Sequence, residues 1–269
     1  MRHLSDARDE RPRTALLLAA GMGSRLAPLT NSTAKCLVGV SGVPILERLV
    51  RTLSNYGFTR LVVVVGHERH AIQDYLGDHS GDMQISYIVS RCYRTTNNIY
   101  SLWLARRAID EPFVLVESDL VFDESLLKGM LKVDSAAISR QLPWMNGTTV
   151  TLDGRTGIRS FCLGEMSRAD ATHYKTVNIY SFSRQSWRAI CERLDNYVAA
   201  NRTGDYYESV FAEMVADGSL TLAPVLFDAN SWYEIDTLAD LHAAELVFPR
   251  YSSTLRSAAA REVATGAAG

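Results

Sequence analysis

Residues 14–37 read Thr-Ala-Leu-Leu-Leu-Ala-Ala-Gly-Met-Gly-Ser-Arg-Leu-Ala-Pro-Leu-Thr-Asn-Ser-Thr-Ala-Lys-Cys-Leu, and this string constrains the fold more than any other part of the chain. The unbroken apolar run from Ala15 to Ala20 predicts a strand buried on both faces, which calls for a parallel sheet covered by helices. The run ends in a loop of small residues containing Gly21 and Gly23. Backbone N–H groups in such a loop can approach a phosphate chain, because glycine places no Cβ in the way. Arg25 follows two residues after Gly23, and Lys35 ten residues later. Two fixed cations beside a phosphate loop suit a nucleoside triphosphate undergoing cleavage. The competing reading is an ordinary strand-to-helix turn with two solvated basic residues.

Strand and helix signals alternate through the first half. After the first strand, Pro44 to Tyr56 reads as a helix with Leu46, Leu49, Val50 and Leu53 at helical spacing, ended by Gly57. Leu61 to Val65 reads as a β-branched buried strand, His67 to Leu76 as a helix and Gln84 to Ser90 as a strand. A helix over Ser101 to Ile109 and a strand over Phe113 to Glu117 follow, with Ser118 and Asp119 at the strand tip. This order predicts an α/β fold with a mostly parallel central sheet flanked by helices. Ligands of such sheets bind at the carboxyl ends of strands, where both the glycine loop and Asp119 fall. Residues 136–183 change character: short runs over Thr148–Leu152 and Val177–Phe182 are separated by glycines, and they predict strands covering the mouth of the site. Helices over Gln185–Ala200 and Tyr206–Asp217, a strand over Leu220–Phe227 and a closing helix over Leu238–Glu245 complete the pattern. We therefore expect a flexible segment over residues 1–13, one domain over 14–248 and a mobile tail over 249–269.

Bulk properties narrow the function classes. A net charge of −2 gives no general footprint for nucleic acid or an anionic membrane, so polyanionic substrates require cations gathered in one pocket. Four scattered cysteines without a Cys-x-x-Cys pair argue against structural zinc and against a disulfide framework. Reduced thiols point to a cytoplasmic protein. The charged Met1–Arg13 segment resembles neither a signal peptide nor an anchor, and no stretch approaches the roughly 20 apolar residues that span a bilayer. A redox dinucleotide site is disfavoured, since Gly21-Met22-Gly23 lacks a third glycine three residues later.

The full N-terminal string, with Gly42-Val43-Pro44-Ile45-Leu46 after it, resembles the signature of nucleotidyltransferases. That family includes the sugar-1-phosphate enzymes and the phosphocholine cytidylyltransferases. The resemblance implies a Rossmann-like sheet of the nucleoside-diphosphate-sugar transferase type with a small β-rich acceptor-binding insertion. It places the nucleotide on Leu18, Ala19, Ala20, Gly21, Met22, Gly23, Ser24 and Ser118, with Arg25 and Lys35 as catalytic cations. It places Mg²⁺ on Asp119 and on Asp236 of Trp232-Tyr233-Glu234-Ile235-Asp236-Thr237. On the residues alone, Asp236 reads equally as the N-cap of the closing helix, and a role for Glu117 stays open. Cys36 reads as a small buried apolar residue rather than a nucleophile.

Asn97-Asn98-Ile99-Tyr100-Ser101-Leu102 is more similar to cytidylyltransferases than to the sugar enzymes. Its two asparagines suit the edge of a pyrimidine, or else cap the helix that follows. That resemblance implies CTP as substrate. On the acceptor side, Trp144, Asn146, Lys175, Asn178 and Trp232 fall in segments similar to phosphonate cytidylyltransferases, and Lys175 reads as a catalytic cation holding a phosphonate oxygen or as a solvated surface lysine. A cationic acceptor calls for carboxylates or an aromatic box, for which Asp205, Glu208, Trp144, Trp232 and Tyr233 are candidates. The expected activity is CMP transfer from CTP to a small phosphonate, 2-aminoethylphosphonate or a related one. Phosphocholine or a sugar 1-phosphate is the alternative acceptor, and a non-catalytic nucleotide-binding subunit is the alternative of another class. Family members are often dimers or larger, so a homo-oligomer is among the expectations.

Overall fold

Strand β1 (Thr14–Ala19) is buried at every residue and sits inside the sheet, as its unbroken apolar run requires. The computed structural model describes residues 11–143, 145–154, 156–164 and 173–248. Helix α1 (Ile45–Asn55), β2 (Arg60–Val65), α2 (Arg69–Leu76), β3 (Met83–Val89), α3 (Asn98–Ala105) and β4 (Phe113–Glu117) follow in the expected alternation. The order β3-β2-β1-β4 is parallel throughout. Successive residues of β1 point to opposite faces. Leu16 and Leu18 join a core with helices α3 and later α4 and α5, while Ala15, Leu17 and Ala19 join a second core under α1 and α2. The parallel strands end together, so the loop at Ala20–Gly23 and the Ser118–Asp119 tip lie side by side.

The second half supplies β5 (Leu120–Phe122), β6 (Ser135–Arg140), β7 (Thr149–Asp153), β8 (Gly157–Cys162) and β9 (Tyr174–Phe182). Helices α4 (Arg184–Ala199) and α5 (Tyr207–Ala216), strands β10 (Ala223–Phe227) and β11 (Trp232–Glu234), and helix α6 (Leu238–Val247) complete the chain. The expected covering strands instead continue the central sheet. Strand β9 pairs antiparallel with β4, and β7, β8, β6 and β10 extend it beyond β9. The reason is burial: eight of the nine β9 residues are buried, which only an interior strand allows. Along β9 the register shifts between Thr176 and Tyr180, where Asn178 takes a positive φ of 59°. This bulge turns the first half of β9 toward β7 and the second half toward β4, and asparagine is among the residues that tolerate that conformation.

Strands β5 and β11 form a separate antiparallel ribbon in which Glu234 lies opposite Leu120. The Ile235 amide donates to the Asp119 carbonyl at 2.9 Å, which carries Glu234 and Asp236 to the tip of β4. Ile235, Leu241 and Ala244 then pack on Leu26, Val38 and Val40, so α6 is fixed over the glycine-loop segment.

Several boundaries move. Helix α3 begins at Asn98 rather than Ser101, because the Asn97 side chain accepts from the Asn98 amide at 2.8 Å and starts the helix there. Strand β10 begins at Ala223, three residues later than expected. Residues 11–13 are anchored rather than loose: Arg11 donates to the Tyr56 carbonyl at 2.6 Å, and the Arg13 carbonyl accepts from Thr59. The rest of the expected flexible termini, residues 1–10 and 249–269, lies outside the described residues. Among the described residues no helix is long and apolar enough to cross a membrane.

Candidate active site

The carboxyl ends of β1 and β4, the start of β9 and the β11–α6 corner enclose a cavity of about 450 Å³. Gly21 faces open space there: a Cβ built on it meets no atom within 4 Å, so the backbone is exposed as a cradle. Gly23 has a different reason to be glycine. Its φ is +62°, and a Cβ would lie 3.0 Å from the Lys35 Cβ and 3.2 Å from Thr30. Its carbonyl accepts from the Thr30 hydroxyl at 2.8 Å, which folds the loop back over Lys35. Leu18, Ala20, Ser24 and Ser118 line the same cavity. Ala19 packs away from it into the α1–α2 core, and Met22 is exposed. Any contact of Ala19 with a nucleotide is therefore through the backbone.

Lys35 is the hub. Its Nζ lies 2.7 Å from Asp119 Oδ2 and 2.7 Å from Asp236 Oδ1, and Arg25 reaches the same Asp236 oxygen at 2.8 Å. Burial works against the charge on Lys35, but Asp119 and Asp236 outweigh it and hold the ammonium pKa above its ordinary value. Cys36 beside it is 2% exposed, and burial pushes its thiol up to about 12, which fits the inert reading. Asp236 does not cap α6. Thr237 does, in a capping box with Asp240, whose carboxylate also accepts from the Asp236 amide at 3.1 Å. The cap leaves the Asp236 carboxylate directed at Lys35 and Arg25.

Oxygens of Asp119, Glu234 and Asp236 lie within 4.8 Å of one another. Asp119 Oδ1 is buried with no hydrogen-bond partner among the described residues. A hard-oxygen set with a spare buried acceptor fits a divalent cation such as Mg²⁺. Glu234 was not singled out from sequence. The signal was present, since it stands two residues before Asp236, but only the β5–β11 ribbon shows that both side chains reach Asp119.

Lys175 is 2% exposed, which removes the surface reading. Its Nζ donates to the Thr176 carbonyl at 2.8 Å and lies 3.3 Å from Glu234. Asn178 accepts from Thr176 at 3.0 Å and donates to Glu234 at 3.5 Å. Lys175, Asn146 and Trp232 also line an adjoining cavity of about 210 Å³ that shares Arg25, Glu234 and Asp236 with the first. Trp144 lies outside the described residues.

Both asparagines line the larger cavity, with their amides already engaged. Asn97 caps α3, the alternative weighed from sequence. Asn98 accepts from the Tyr207 amide at 3.0 Å and donates to Glu117 at 3.2 Å. The pair shapes the cavity wall and ties α3 to α5, and each carboxamide keeps a second N–H and a second acceptor position beyond these bonds.

The sequence reading also left open what lies behind that wall. Glu117 is held well above the usual carboxylate range by burial, with Asp119 and Glu208 adding repulsion. Glu208 is pushed up to about 7 by burial, against opposing help from its backbone and Lys175. Burial likewise raises Glu234, although Lys175 opposes it. Glu208 opens into the cavity, whereas Asp205 pairs with Arg202 at 2.8 Å.

A phosphate cradle, two cations and a carboxylate cluster in one cleft are the parts of a nucleotidyl-transfer site. Residues 14–142 match the nucleotidyl transferase family. The chain belongs to that family. It is 32% identical over 251 residues to the CMP-5′-(3-aminopropyl)phosphonate synthase of Streptomyces rubellomurinus, covering 89% of this chain and 39% of that relative. The chain thus spans about two fifths of the length of that relative. It is 26% identical over 243 residues to the choline-phosphate cytidylyltransferase of Streptococcus pneumoniae, covering 86% of this chain and 96% of the relative. The solved CTP:phosphocholine cytidylyltransferase of Streptococcus pneumoniae shares the fold, with a TM-score of 0.71 at 20% identity, over 87% of this chain and 98% of that one. The chain has the mixed α/β architecture of that structure, with a mostly parallel central sheet.

Proposed function

We propose that the chain transfers CMP from CTP to a small aminoalkylphosphonate, 2-aminoethylphosphonate or a near homologue, with release of pyrophosphate. The observation that carries the reading is the Lys35 junction, where one ammonium joins Asp119 to Asp236 beside the glycine loop, with Arg25 at its side. An oxygen of the acceptor phosphonate attacks the α-phosphorus of CTP. One P–O bond forms, and the bond to the β-phosphate oxygen breaks as pyrophosphate leaves in line. No covalent enzyme intermediate is needed, so the protein contributes position and charge. Backbone N–H groups around Gly21 hold the triphosphate, while Arg25 and Lys35 neutralise charge growing on it. Lys175, held by Glu234 and the Thr176 carbonyl, faces the acceptor. Asp119 and Asp236, with Glu234 beside them, would hold Mg²⁺. A bound divalent ion there supplies charge neutralisation at the α-phosphate.

CTP and a phosphonate are favoured by the likeness to the Streptomyces synthase, and the Asn97–Leu102 segment supports the cytidine nucleotide. The Streptococcus relative, matched over 96% of its length, favours phosphocholine as the second acceptor. Pyrophosphate release with CTP and Mg²⁺ is the test, across 2-aminoethylphosphonate, 3-aminopropylphosphonate, a hydroxyalkylphosphonate, phosphocholine and glucose 1-phosphate. Turnover with phosphonates is the expected result. Turnover confined to phosphocholine or the sugar phosphate overturns the acceptor, and CTP binding without turnover on any acceptor returns the chain to a nucleotide-binding role.

A further inference from the structure

Four residues at the acceptor end close a ring of polar contacts. Lys175 Nζ donates to the Thr176 carbonyl at 2.8 Å and lies 3.3 Å from Glu234 Oε2. Asn178 Nδ2 donates to Glu234 Oε1 at 3.5 Å, and the Thr176 hydroxyl donates to Asn178 Oδ1 at 3.0 Å. Each oxygen of Glu234 is thus held from a different side, one by Lys175 and the other by Asn178. The ring is anchored just before β7, where the Thr148 carbonyl accepts from both the Thr176 hydroxyl at 3.0 Å and the Thr176 amide at 3.1 Å.

Lys175, Asn178 and Glu234 line the larger cavity, and Thr176 lines neither cavity. Thr176 is 0% exposed, so no substrate reaches it. Valine would fill the same space in an interior strand, but it would lose a hydroxyl whose one hydrogen is shared between two oxygens of the cavity wall. One of those oxygens belongs to a residue that strand pairing does not hold. The register of β9 shifts between Thr176 and Tyr180, and the pairing with β4 begins only at Ile179, which leaves Asn178 between the paired stretches. Its carboxamide is therefore oriented by its bonds to Thr176 and Glu234.

We propose that Thr176 is a positioning residue for the acceptor: its hydroxyl sets the Asn178 carboxamide, which holds Glu234 toward Lys175, so that the Lys175 ammonium is presented to the phosphonate or phosphate oxygens of the acceptor. The inference rests on the cytidylyl-transfer reading above and adds a residue that acts on the acceptor without touching it. Without the hydroxyl the carboxamide turns, and Glu234 keeps only its contact with Lys175. A catalytic group displaced by about 1 Å can cost transfer on the order of 10²-fold, so a loosened ring is felt in turnover.

The test measures acceptor kinetics with 2-aminoethylphosphonate, or with phosphocholine where wild type uses only that, at saturating CTP and Mg²⁺. CTP binding by calorimetry and thermal melts accompany it. Thr176→Val should lower kcat/KM for the acceptor by about 5- to 10-fold, the loss expected of one neutral hydrogen bond, and leave the Kd for CTP unchanged. Thr176→Ser restores the hydroxyl and should return acceptor kcat/KM to the wild-type value. Asn178→Gly removes the carboxamide but keeps a backbone at φ 59° that glycine adopts freely, and it should show the same selective loss. The double variant should be no worse than Asn178→Gly alone, because Thr176 acts through Asn178. Unchanged acceptor kinetics in Thr176→Val overturn the inference, and so does a serine variant as impaired as the valine one. Equal losses on acceptor and CTP, or additive losses in the double variant, overturn it too. If the valine variant does not fold, Asn178→Gly decides, and unchanged acceptor kinetics there overturn the inference while leaving the transfer reading standing. If wild type releases pyrophosphate with no acceptor, the transfer reading falls and the inference with it.

Discussion

Lys35→Met isolates the charge at the centre of the site. Methionine keeps most of the length and the apolar stem of lysine, so the substitution removes one positive charge and little volume. It leaves Asp119 and Asp236 with oxygens that each stood 2.7 Å from Nζ, on side chains 17% and 18% exposed. Each such contact has a gross attraction of roughly 6 kcal/mol at an effective dielectric of about 20. Desolvation of the ions cancels much of it, and removing one partner of a buried pair typically costs about 3–5 kcal/mol net. Arg25 moderates the loss at Asp236 only slightly, because its side chain is 71% exposed. At roughly 2–4 °C per kcal/mol for a domain of this size, the melting midpoint should fall by about 6–20 °C in chelator. Asp119 and Asp236, together with Glu234, should then bind a divalent cation more tightly, so Mg²⁺ should stabilise the variant more than the wild type. A cation at about one hundred times its Kd returns roughly 2.7 kcal/mol. Thermal melts in EDTA and across a Mg²⁺ titration read both effects, and pyrophosphate release should fall by at least about 10²-fold. The reasoning is refuted by a chelator midpoint within about 2 °C of wild type, or by a Mg²⁺ gain no larger than the wild type's.

The two loop glycines should separate folding from binding. Gly21→Ala should melt within about 2 °C of wild type, because its Cβ meets no atom within 4 Å, yet it should weaken CTP binding measured by calorimetry. Gly23→Ala should cost about 1–2 kcal/mol, since φ is +62° and its Cβ meets Lys35 at 3.0 Å; an unchanged urea midpoint would contradict this. Thr237→Ala should cost about 1 kcal/mol through loss of the capping box, read by the same melts. The pH prediction follows from Glu208. Its folded pKa is raised from 4.5 to about 7, so the folded state binds its proton more tightly than the unfolded chain does. That contribution is fully present below about pH 4.5 and is lost as pH rises to about 7. Glu208→Gln should therefore shrink the fall in stability between pH 4.5 and 7 by on the order of 3 kcal/mol. An unchanged slope in urea titrations across that range would show that Glu208 does not carry it.

Much of this protein was determined by local sequence. The apolar run at Ala15–Ala20 required an interior strand, the β-α-β alternation required a parallel sheet, and parallel strands that end together put Gly21, Gly23 and Asp119 on one edge. Lys35 and Asp236 were recognisable as charged residues in a signature string. Their bonding to each other was not, because they are 201 positions apart and meet only where the β5–β11 ribbon returns to the tip of β4. The same return delivered Glu234, whose spacing two residues before Asp236 was a signal that only the ribbon could connect to Asp119. That Asn97 caps α3 and Asn98 holds the distant Tyr207 amide depended on where α3 begins and on how α5 packs against it. Lys175 read as surface or site until strand β9 proved to be interior. Periodicity and chain punctuation report on neighbours within a few residues. The pairing of buried charges is decided by partners that only the folded chain brings within reach.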